Sequence, residues 1–229
     1  MSSVVTAKGF AAGIVLVIAT GLYVTSSPSR ADAATPGQVI TVQAPTAQSQ
    51  TAVLRTWQLE STGRYVQVLG PVIAFVGESG VGPTREGLGR TPDGVFALTQ
   101  AFGNQPDNGT RLPYFRAGVD DWWDENSASR LYNRHVKSSV SPGGASENLF
   151  DAGRAYAHAV VINYNTDPVV KGAGSGFFLH VSMGAPTEGC VAIPEGELNR
   201  VMRWLLPRDH PVISIGVGVA PLAPVRITS

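Results

Sequence analysis

The sequence has little cysteine and no excess charge of either sign. Cys190 is the only cysteine among 229 residues, and 17 basic residues balance 17 acidic ones. A single cysteine cannot form a disulfide within its own chain, so it is either a reactive thiol or a buried one that oxidants do not reach. The balanced charge gives no indication of a nucleic-acid or anionic-membrane partner, because such partners select basic surfaces.

Long apolar runs are also scarce, and the one that stands out lies near the N-terminus. Residues 10–24 carry no charge, Lys8 precedes them, and Ala31-Asp32-Ala33 follows with the small-x-small pattern that a signal peptidase accepts. The run is shorter than the about 20 apolar residues that span a bilayer comfortably. We therefore expect residues 1–33 to be a signal peptide or an N-terminal anchor. The protein is then expected to be secreted, extracytoplasmic or associated with the cell wall.

The rest of the chain divides by composition into a linker and one domain. Residues 34–51 have no charge and are rich in Pro, Gln, Ser and Thr, which predicts a flexible linker. Residues 52–229 have the length of one domain, and their short β-branched and aromatic runs between Gly and Pro predict a mainly β fold. One helix is predicted after Cys190. Between Pro194 and Pro207, helical spacing relates Leu198, Val201, Met202 and Leu205.

Two classes of ligand are disfavoured. Residues 77–84, GESGVGPT, nearly match a phosphate-binding loop, but Pro83 stands where that loop needs a lysine. The four histidines include neither an i, i+4 pair nor a compact cluster with acids, which would have indicated zinc. We expect no nucleotide, no metal ion and no other cofactor.

A tryptophan-rich segment allows two interpretations. Residues 120–133, DDWWDENSASRLYN, hold three acids and two tryptophans in their first five positions. An aromatic face beside carboxylates can bind sugars or amines, which makes Trp123 a candidate substrate contact. Alternatively, the tryptophans anchor a surface loop to the core. The sequence does not choose between these two interpretations.

Cys190 and His180 form the strongest candidate site. In residues 175–182, SGFFLHVS, strand alternation places Phe178, His180 and Ser182 on one face, and the loop MGAPTEG can return Cys190 alongside His180. An imidazole within hydrogen-bond reach would accept the thiol proton, and Gly189 leaves backbone N–H groups accessible to an oxyanion. A structural cysteine remains the alternative, because cysteine is among the most buried residue types.

At these residues the chain resembles the YkuD-type L,D-transpeptidase family of peptidoglycan enzymes. FFLHVS is similar to the family's histidine at a strand end, and TEGC, residues 187–190, to its Ser/Thr-His-Gly-Cys turn. REGLGRTPDGVFAL, YAHAVVINYN and GSGFFLH are similar to further family segments in the same order, so the resemblance covers most of residues 65–216. It implies a β-sandwich-like fold with mixed sheets and one or a few packed helices.

The resemblance also implies a mechanism, acyl transfer on peptidoglycan stem peptides. Cys190 would be the nucleophile that expels the terminal D-alanine of a tetrapeptide stem, and His180 the general base, oriented by the carbonyl of Val181. The N–H of Gly189 would contribute to the oxyanion hole. The thioester would pass to an amine or to water, and carbapenems would inhibit. The expected substrate contacts are Ser182, Thr187, Glu188 and Trp123.

Three features depart from the family pattern. Glu188 stands where a histidine is usual, and a carboxylate near the thiol opposes the thiolate unless it points away. VAI follows Cys190 in place of a polar residue or an arginine, and only nine residues separate His180 from Cys190, which implies a more open site. Two alternatives therefore stay open: a wall-binding module with decayed chemistry, and an L,D-carboxypeptidase-like hydrolase that passes the acyl group to water.

Overall fold

The computed structural model describes residues 35–218, which form thirteen strands and one α-helix. The expected signal or anchor segment, residues 1–33, lies outside them, and within them no helix is long and apolar enough to cross a membrane. The elements are β1 (Gln38–Ala44), β2 (Thr51–Leu59), β3 (Tyr65–Phe75), β4 (Gly94–Ala97), β5 (Ala101–Gly103), β6 (Tyr114–Arg116), β7 (Asp121–Asp124), β8 (Arg134–Lys137), β9 (Glu147–Asn148), β10 (Ala159–Val161), β11 (Phe178–Val181), β12 (Val191–Ile193), α1 (Glu195–Trp204) and β13 (Val212–Val217).

The strands form one large sheet and one small one. Ten strands are joined in the order β4-β13-β1-β2-β3-β12-β11-β10-β5-β6, and β8, β7 and β9 form an antiparallel three-stranded sheet. The large sheet is mixed, because β1 with β13, β11 with β12 and β5 with β6 run parallel. This mainly β, sandwich-like architecture with a packed helix confirms the predicted fold class. The pair β11 and β12 lies well inside the sheet, between β3 and β10.

Strand β1 corrects the prediction of a linker at residues 34–51. Gln38–Ala44 is inserted between β13 and β2, with Val39 opposite both Val212 and Trp57. Its side chains are buried along nearly the whole strand. A strand buried on both faces carries no charge and is rich in β-branched residues, so the lack of charge that suggested a linker fits an interior strand equally well. The domain therefore begins before residue 52.

The helix predicted after Cys190 is confirmed. Glu195–Trp204 is helical, with Pro194 directly before its first turn, and the chain leaves the helix at Leu205. The predicted apolar face is the buried one and packs against β11. Acidic residues in the first turn and Arg203 in the last turn complement the helix dipole.

The two faces of β11 contact different parts of the core, as the predicted alternation requires. Leu179 and Val181 belong to the cluster that packs against α1, whereas Phe178 belongs to a second cluster together with Cys190 and Tyr156. Successive side chains of a strand point to opposite faces. Cys190 and α1 therefore lie on opposite sides of the sheet.

The small sheet packs against the side of the large sheet that carries Cys190. Trp123 of β7 is buried edge-to-face against Phe178, with 5.0 Å between the ring centroids, and its indole N–H donates to Asn133 Oδ1 at 2.9 Å. Trp122 donates its indole N–H to the carbonyl of Ser138. The structure therefore favours the second interpretation of residues 120–133, in which the tryptophans anchor the segment.

Candidate active site

Cys190 lies directly before β12, beside β11. In this parallel pair Leu179 is opposite Val191 and His180 is opposite Ala192. One step earlier, the N–H of Phe178 donates to Cys190 Sγ at 3.3 Å. Since side chains alternate along both strands, Cys190 and His180 are diagonal neighbours on the same face. The two residues that the sequence singled out thus border the same space.

The imidazole of His180 is oriented by a backbone carbonyl. His180 Nδ1 lies 2.9 Å from the carbonyl oxygen of Val181, the group that the resemblance assigned to orient it. A carbonyl only accepts hydrogen bonds, so Nδ1 carries the hydrogen and Nε2 keeps its lone pair. Burial lowers the pKa of His180, although the carbonyls of Val181 and Ala155 oppose that shift. At neutral pH the ring is therefore neutral and able to accept a proton at Nε2.

The thiol of Cys190 makes its hydrogen bond elsewhere. Cys190 Sγ donates to the carbonyl of Gly176 at 3.3 Å, and the direct bond to His180 expected from the sequence is not among the hydrogen bonds of residues 35–218. Cys190 is 8% exposed and His180 is 7% exposed. To meet the imidazole, the thiol has to give up its hydrogen bond to the carbonyl of Gly176.

Several groups act on the acidity of this thiol. Burial raises the pKa of Cys190 well above its usual range, and the charges of Glu147 and Glu125 raise it further. The N–H of Phe178 and the hydroxyl of Tyr156 lower it by hydrogen bonding. Burial and nearby anions both disfavour a thiolate, whereas hydrogen bonds to sulfur favour it. The thiol is therefore protonated in the free protein.

The turn before Cys190 is fastened by Thr187 and needs a glycine. Thr187 Oγ1 donates to the carbonyl of Cys190 at 2.6 Å and accepts from the N–H of Gly189 at 3.2 Å. Gly189 has φ +147°, and a Cβ there would lie 2.6 Å from a ring carbon of Phe177. The N–H of Gly189, the predicted oxyanion donor, is therefore occupied by Thr187. It would have to exchange that partner for a substrate oxygen.

A pocket of about 580 Å³ opens over Cys190 and His180. Its walls include residues 84–89, residues 174–177 and residues 185–189. Among its lining residues Arg85 is the only arginine or lysine. Five glutamates line it: Glu78, Glu86, Glu125, Glu147 and Glu188. Within residues 35–218, no three His, Cys, Asp or Glu side chains converge closely enough to hold a metal ion. The pocket therefore presents a predominantly acidic lining beside the thiol.

The glutamates of the pocket differ in their surroundings. Glu86 Oε2 accepts hydrogen bonds from the hydroxyls of Tyr132 and Ser175. Burial, followed by the charge of Glu147, raises the pKa of Glu125 to about 9. The pKa of Glu147 is also raised, mainly by burial, although the hydroxyl of Tyr156 opposes the shift. Glu125 is therefore protonated at neutral pH.

Glu188 is not among the groups with the largest effects on the pKa of the thiol. Its side chain is exposed at the rim, and its charge raises the pKa values of Glu125 and Glu147. The glutamates that raise the pKa of the thiol are thus Glu147 first and then Glu125, which is itself protonated at neutral pH, and the sequence did not single out either of them.

The four expected substrate contacts lie in different places. Glu188 and Thr187 line the pocket, although the hydroxyl of Thr187 is used within its own turn. Ser182 Oγ accepts from the N–H of Gly184 at 3.0 Å, and Ser182 does not line the pocket. Trp123 is buried beneath Phe178 and lines a separate pocket beside β8. Two of the four residues are thus outside the space above Cys190.

Sequence reasoning missed Glu125, Glu147 and Tyr156. Glu125 follows β7, Glu147 begins β9 and Tyr156 ends a 3₁₀ turn, so three distant segments converge at the thiol. No short motif relates them, because their proximity arises only when the small sheet packs against the large one. The one available signal was that Tyr156 opens YAHAVVINYN, a segment already assigned to the family pattern.

Comparison with known proteins agrees with the geometry. A family model described as the L,D-transpeptidase catalytic domain matches residues 37–221. No curated protein and no solved structure matches the chain significantly. The matched span includes β1, which agrees with a domain that begins before residue 52.

Proposed function

Because the chain belongs to the YkuD family of L,D-transpeptidase catalytic domains, we propose that it is an exported cysteine acyltransferase that acts on peptidoglycan stem peptides. The family's role lies in peptidoglycan, whereas export, the thioester and catalytic competence of this chain are parts of the proposal. Export rests on residues 1–33, whose apolar run and Ala-x-Ala site are typical of a signal peptide.

One observation carries the proposal: Cys190 and His180 lie on the same face of β11 and β12, at one pocket. Nδ1 of His180 is held by the carbonyl of Val181, and Nε2 is the nitrogen that would take the thiol proton. A nucleophile beside an oriented base is the arrangement that covalent acyl transfer needs. The pocket supplies the space in which a stem peptide can reach both groups.

The reaction proceeds in two acyl transfers. In the first, the proton of Cys190 passes to His180 Nε2 while the sulfur bonds to the carbonyl carbon of the third stem residue. The C–N bond to D-alanine then breaks, and His180 returns the proton to the leaving amine. In the second, an amine or water attacks the thioester, and its proton passes through His180 back to the sulfur. Two easier steps thus replace one difficult exchange.

The acidic lining favours an amine as the acyl acceptor. Five glutamates and one arginine line the pocket, and although Glu125 is protonated at neutral pH, the other four glutamates outnumber Arg85. A side-chain ammonium group is attracted by such a lining before it loses its proton to attack. This supports transpeptidation over hydrolysis by water, the outcome of an L,D-carboxypeptidase-like enzyme.

A turnover assay tests the function. The purified full chain is incubated with a tetrapeptide stem, and both released D-alanine and the mass of the peptide product are measured. We expect D-alanine release with a cross-linked product, and no release by Cys190→Ala. A tripeptide product would show hydrolysis instead. Absence of D-alanine release from folded wild-type protein would contradict the proposed function.

A second candidate function is a wall-binding module with decayed chemistry. It is favoured by one observation, the buried thiol that bonds to Gly176 and faces two glutamates. This candidate predicts that wild type and Cys190→Ala sediment equally well with peptidoglycan and that neither releases D-alanine. The acyltransferase proposal predicts a difference between the two in D-alanine release.

A further inference from the structure

Tyr156 contacts both the general base His180 and the carboxyl group of Glu147. It is almost fully buried, and its ring lies edge-to-face against the His180 ring, with 5.3 Å between centroids and 74° between planes. It also packs edge-to-face against Phe178, at 5.5 Å and 89°. Such aromatic contacts fix ring positions beyond their contribution to burial. The ring of Tyr156 therefore limits where the imidazole can move.

The hydroxyl of Tyr156 has two acceptors within reach. It donates to Glu147 Oε2 at 2.7 Å. Tyr156 also shares a buried cluster and a pocket wall with Cys190, and hydrogen bonding from its hydroxyl lowers the pKa of that thiol. A phenol has one hydrogen, so it can donate fully to only one acceptor at a time. Glu147 and a Cys190 thiolate therefore compete for the same donor.

We propose that Tyr156 is a positioning residue of the acyl-transfer site whose hydroxyl is shared between Glu147 and Cys190. In the free protein the hydroxyl donates to Glu147, and the sulfur remains a thiol bonded to Gly176. When the thiol proton moves to His180, the hydroxyl rotates about its Cζ–Oη bond and donates to the sulfur. This inference deepens the proposed function and rests on it for the role of the site.

The charged and titratable groups around the thiol determine how strongly this exchange affects its acidity. Glu147 and Glu125 face the sulfur from the small sheet, Tyr156 faces it from the 3₁₀ turn, and His180 shares its face of β11. Glu188 and Glu86 act on these carboxyls from the rim and the opposite wall. Phe178 N–H and Tyr156 are the donors that favour a thiolate. Tyr156 is the one of these two donors that a side-chain substitution can remove.

Two substitutions separate the parts of the arrangement. Tyr156→Phe keeps the ring against His180 and removes only the hydroxyl. Glu147→Gln keeps an oxygen that can accept from Tyr156 and removes the charge. We therefore expect Glu147→Gln to raise the reactivity of the Cys190 thiol and Tyr156→Phe to lower it. A merely structural role would change the reactivity in the same direction in both variants.

Alkylation of the thiol tests the proposal. Because Cys190 is the only cysteine, the rate at which iodoacetamide adds to the full chain reports on this sulfur alone. We expect Glu147→Gln to raise the rate at pH 8 by roughly 3–10-fold, and Tyr156→Phe to lower it by roughly 3-fold, with matching shifts of the pH profile. In the double variant, the gain from Glu147→Gln should shrink, because a neutral amide oxygen holds the Tyr156 hydroxyl less strongly than a carboxylate does, and in the double variant that hydroxyl is absent.

Controls keep the result interpretable. Glu60→Gln and Tyr65→Phe change the same residue types away from the pocket and should leave the profile unchanged. An unchanged or faster rate in Tyr156→Phe, a slower rate in Glu147→Gln, or a wild-type thiol that does not react would overturn the inference. The readout does not depend on acyl transfer, so these outcomes are distinguishable from a failure to release D-alanine, which contradicts the proposed function alone.

Discussion

The ring of Phe177 lies so close to Gly189 that a Cβ at position 189 would lie 2.6 Å from it. Phe177 is buried in the same core cluster as the apolar face of α1 and packs edge-to-face against Tyr164, so it cannot simply move aside. The residue before the candidate nucleophile is thus fixed as glycine both by its φ of +147° and by this contact. The turn that presents Cys190 is therefore continuous with the core.

Gly189→Ala should destabilise the fold and abolish acylation. The clash and the unfavourable φ together should cost about 1–3 kcal/mol of unfolding free energy. Thermal or urea unfolding measures this cost. Gly196→Ala is the matched control, since a Cβ there meets nothing within 4 Å and lies in α1. A Gly189→Ala variant as stable as Gly196→Ala would contradict the packing described for this turn.

His180→Gln should slow acylation of Cys190 without unfolding the protein. Loss of a general base costs roughly 10²–10⁴-fold in rate. The measurement is the rate of carbapenem addition at pH 7, followed by intact mass. His158→Gln serves as control, because His158 is equally buried but bonds to the carbonyl of Pro106 away from the pocket. Equal acylation rates in the two variants would argue against His180 as the base.

Glu125→Gln should stabilise the protein at neutral and alkaline pH. The pKa of Glu125 rises from 4.5 to about 9 in the fold. Between these values the unfolded chain is ionised while the folded protein holds the proton, so stability falls as pH rises. The variant removes this cost, and its melting temperature should exceed that of wild type by roughly 3 °C or more at pH 8.

The pH dependence of that difference is diagnostic. Below pH 4 the carboxyl is protonated in both states, so the gain from Glu125→Gln should vanish there. Glu60→Gln, at an exposed turn, should show no such dependence. A gain that persists unchanged at low pH would show that Glu125 is not buried as a neutral acid.

Truncation tests the role of β1. A chain that starts at residue 35 should fold, because it retains every described strand. A chain that starts at residue 46 lacks Gln38–Ala44 and leaves β2 and β13 without their shared neighbour. It should be unfolded or aggregated, by circular dichroism and size-exclusion chromatography. A cooperative melt from the shorter chain would restore the interpretation of residues 34–51 as a linker.

Much of the fold could be predicted because helices and strands leave periodic patterns of apolar residues in the local sequence. The spacing of Leu198, Val201 and Met202 determined α1, and the alternation around Phe178 and Leu179 gave the two faces of β11. Strand β1 was not predicted because one of its two neighbours in the sheet, β13, comes from the far end of the chain. Composition alone does not distinguish an uncharged interior strand from an uncharged linker.

The candidate site was predictable only in part, for a related reason. Cys190 and His180 are ten positions apart on adjacent strands, so a short motif captures both. The environment of the thiol depends on Glu125 and Glu147, which reach it from the small sheet, and on Tyr156. Their effect on the pKa of Cys190 follows from burial and distance, which no sequence pattern encodes. Glu147 therefore has a larger effect on the pKa of Cys190 than Glu188, the residue that departs from the family pattern in sequence.

The most direct test of the central claim is the intact mass of the full chain after incubation with a carbapenem. We predict that wild type gains the mass of one carbapenem, that peptide mapping assigns it to Cys190, and that Cys190→Ala gains nothing. Hydroxylamine should release the adduct, because a thioester is labile to this nucleophile. A folded wild-type protein that gains no mass would contradict the assignment of Cys190 as the nucleophile.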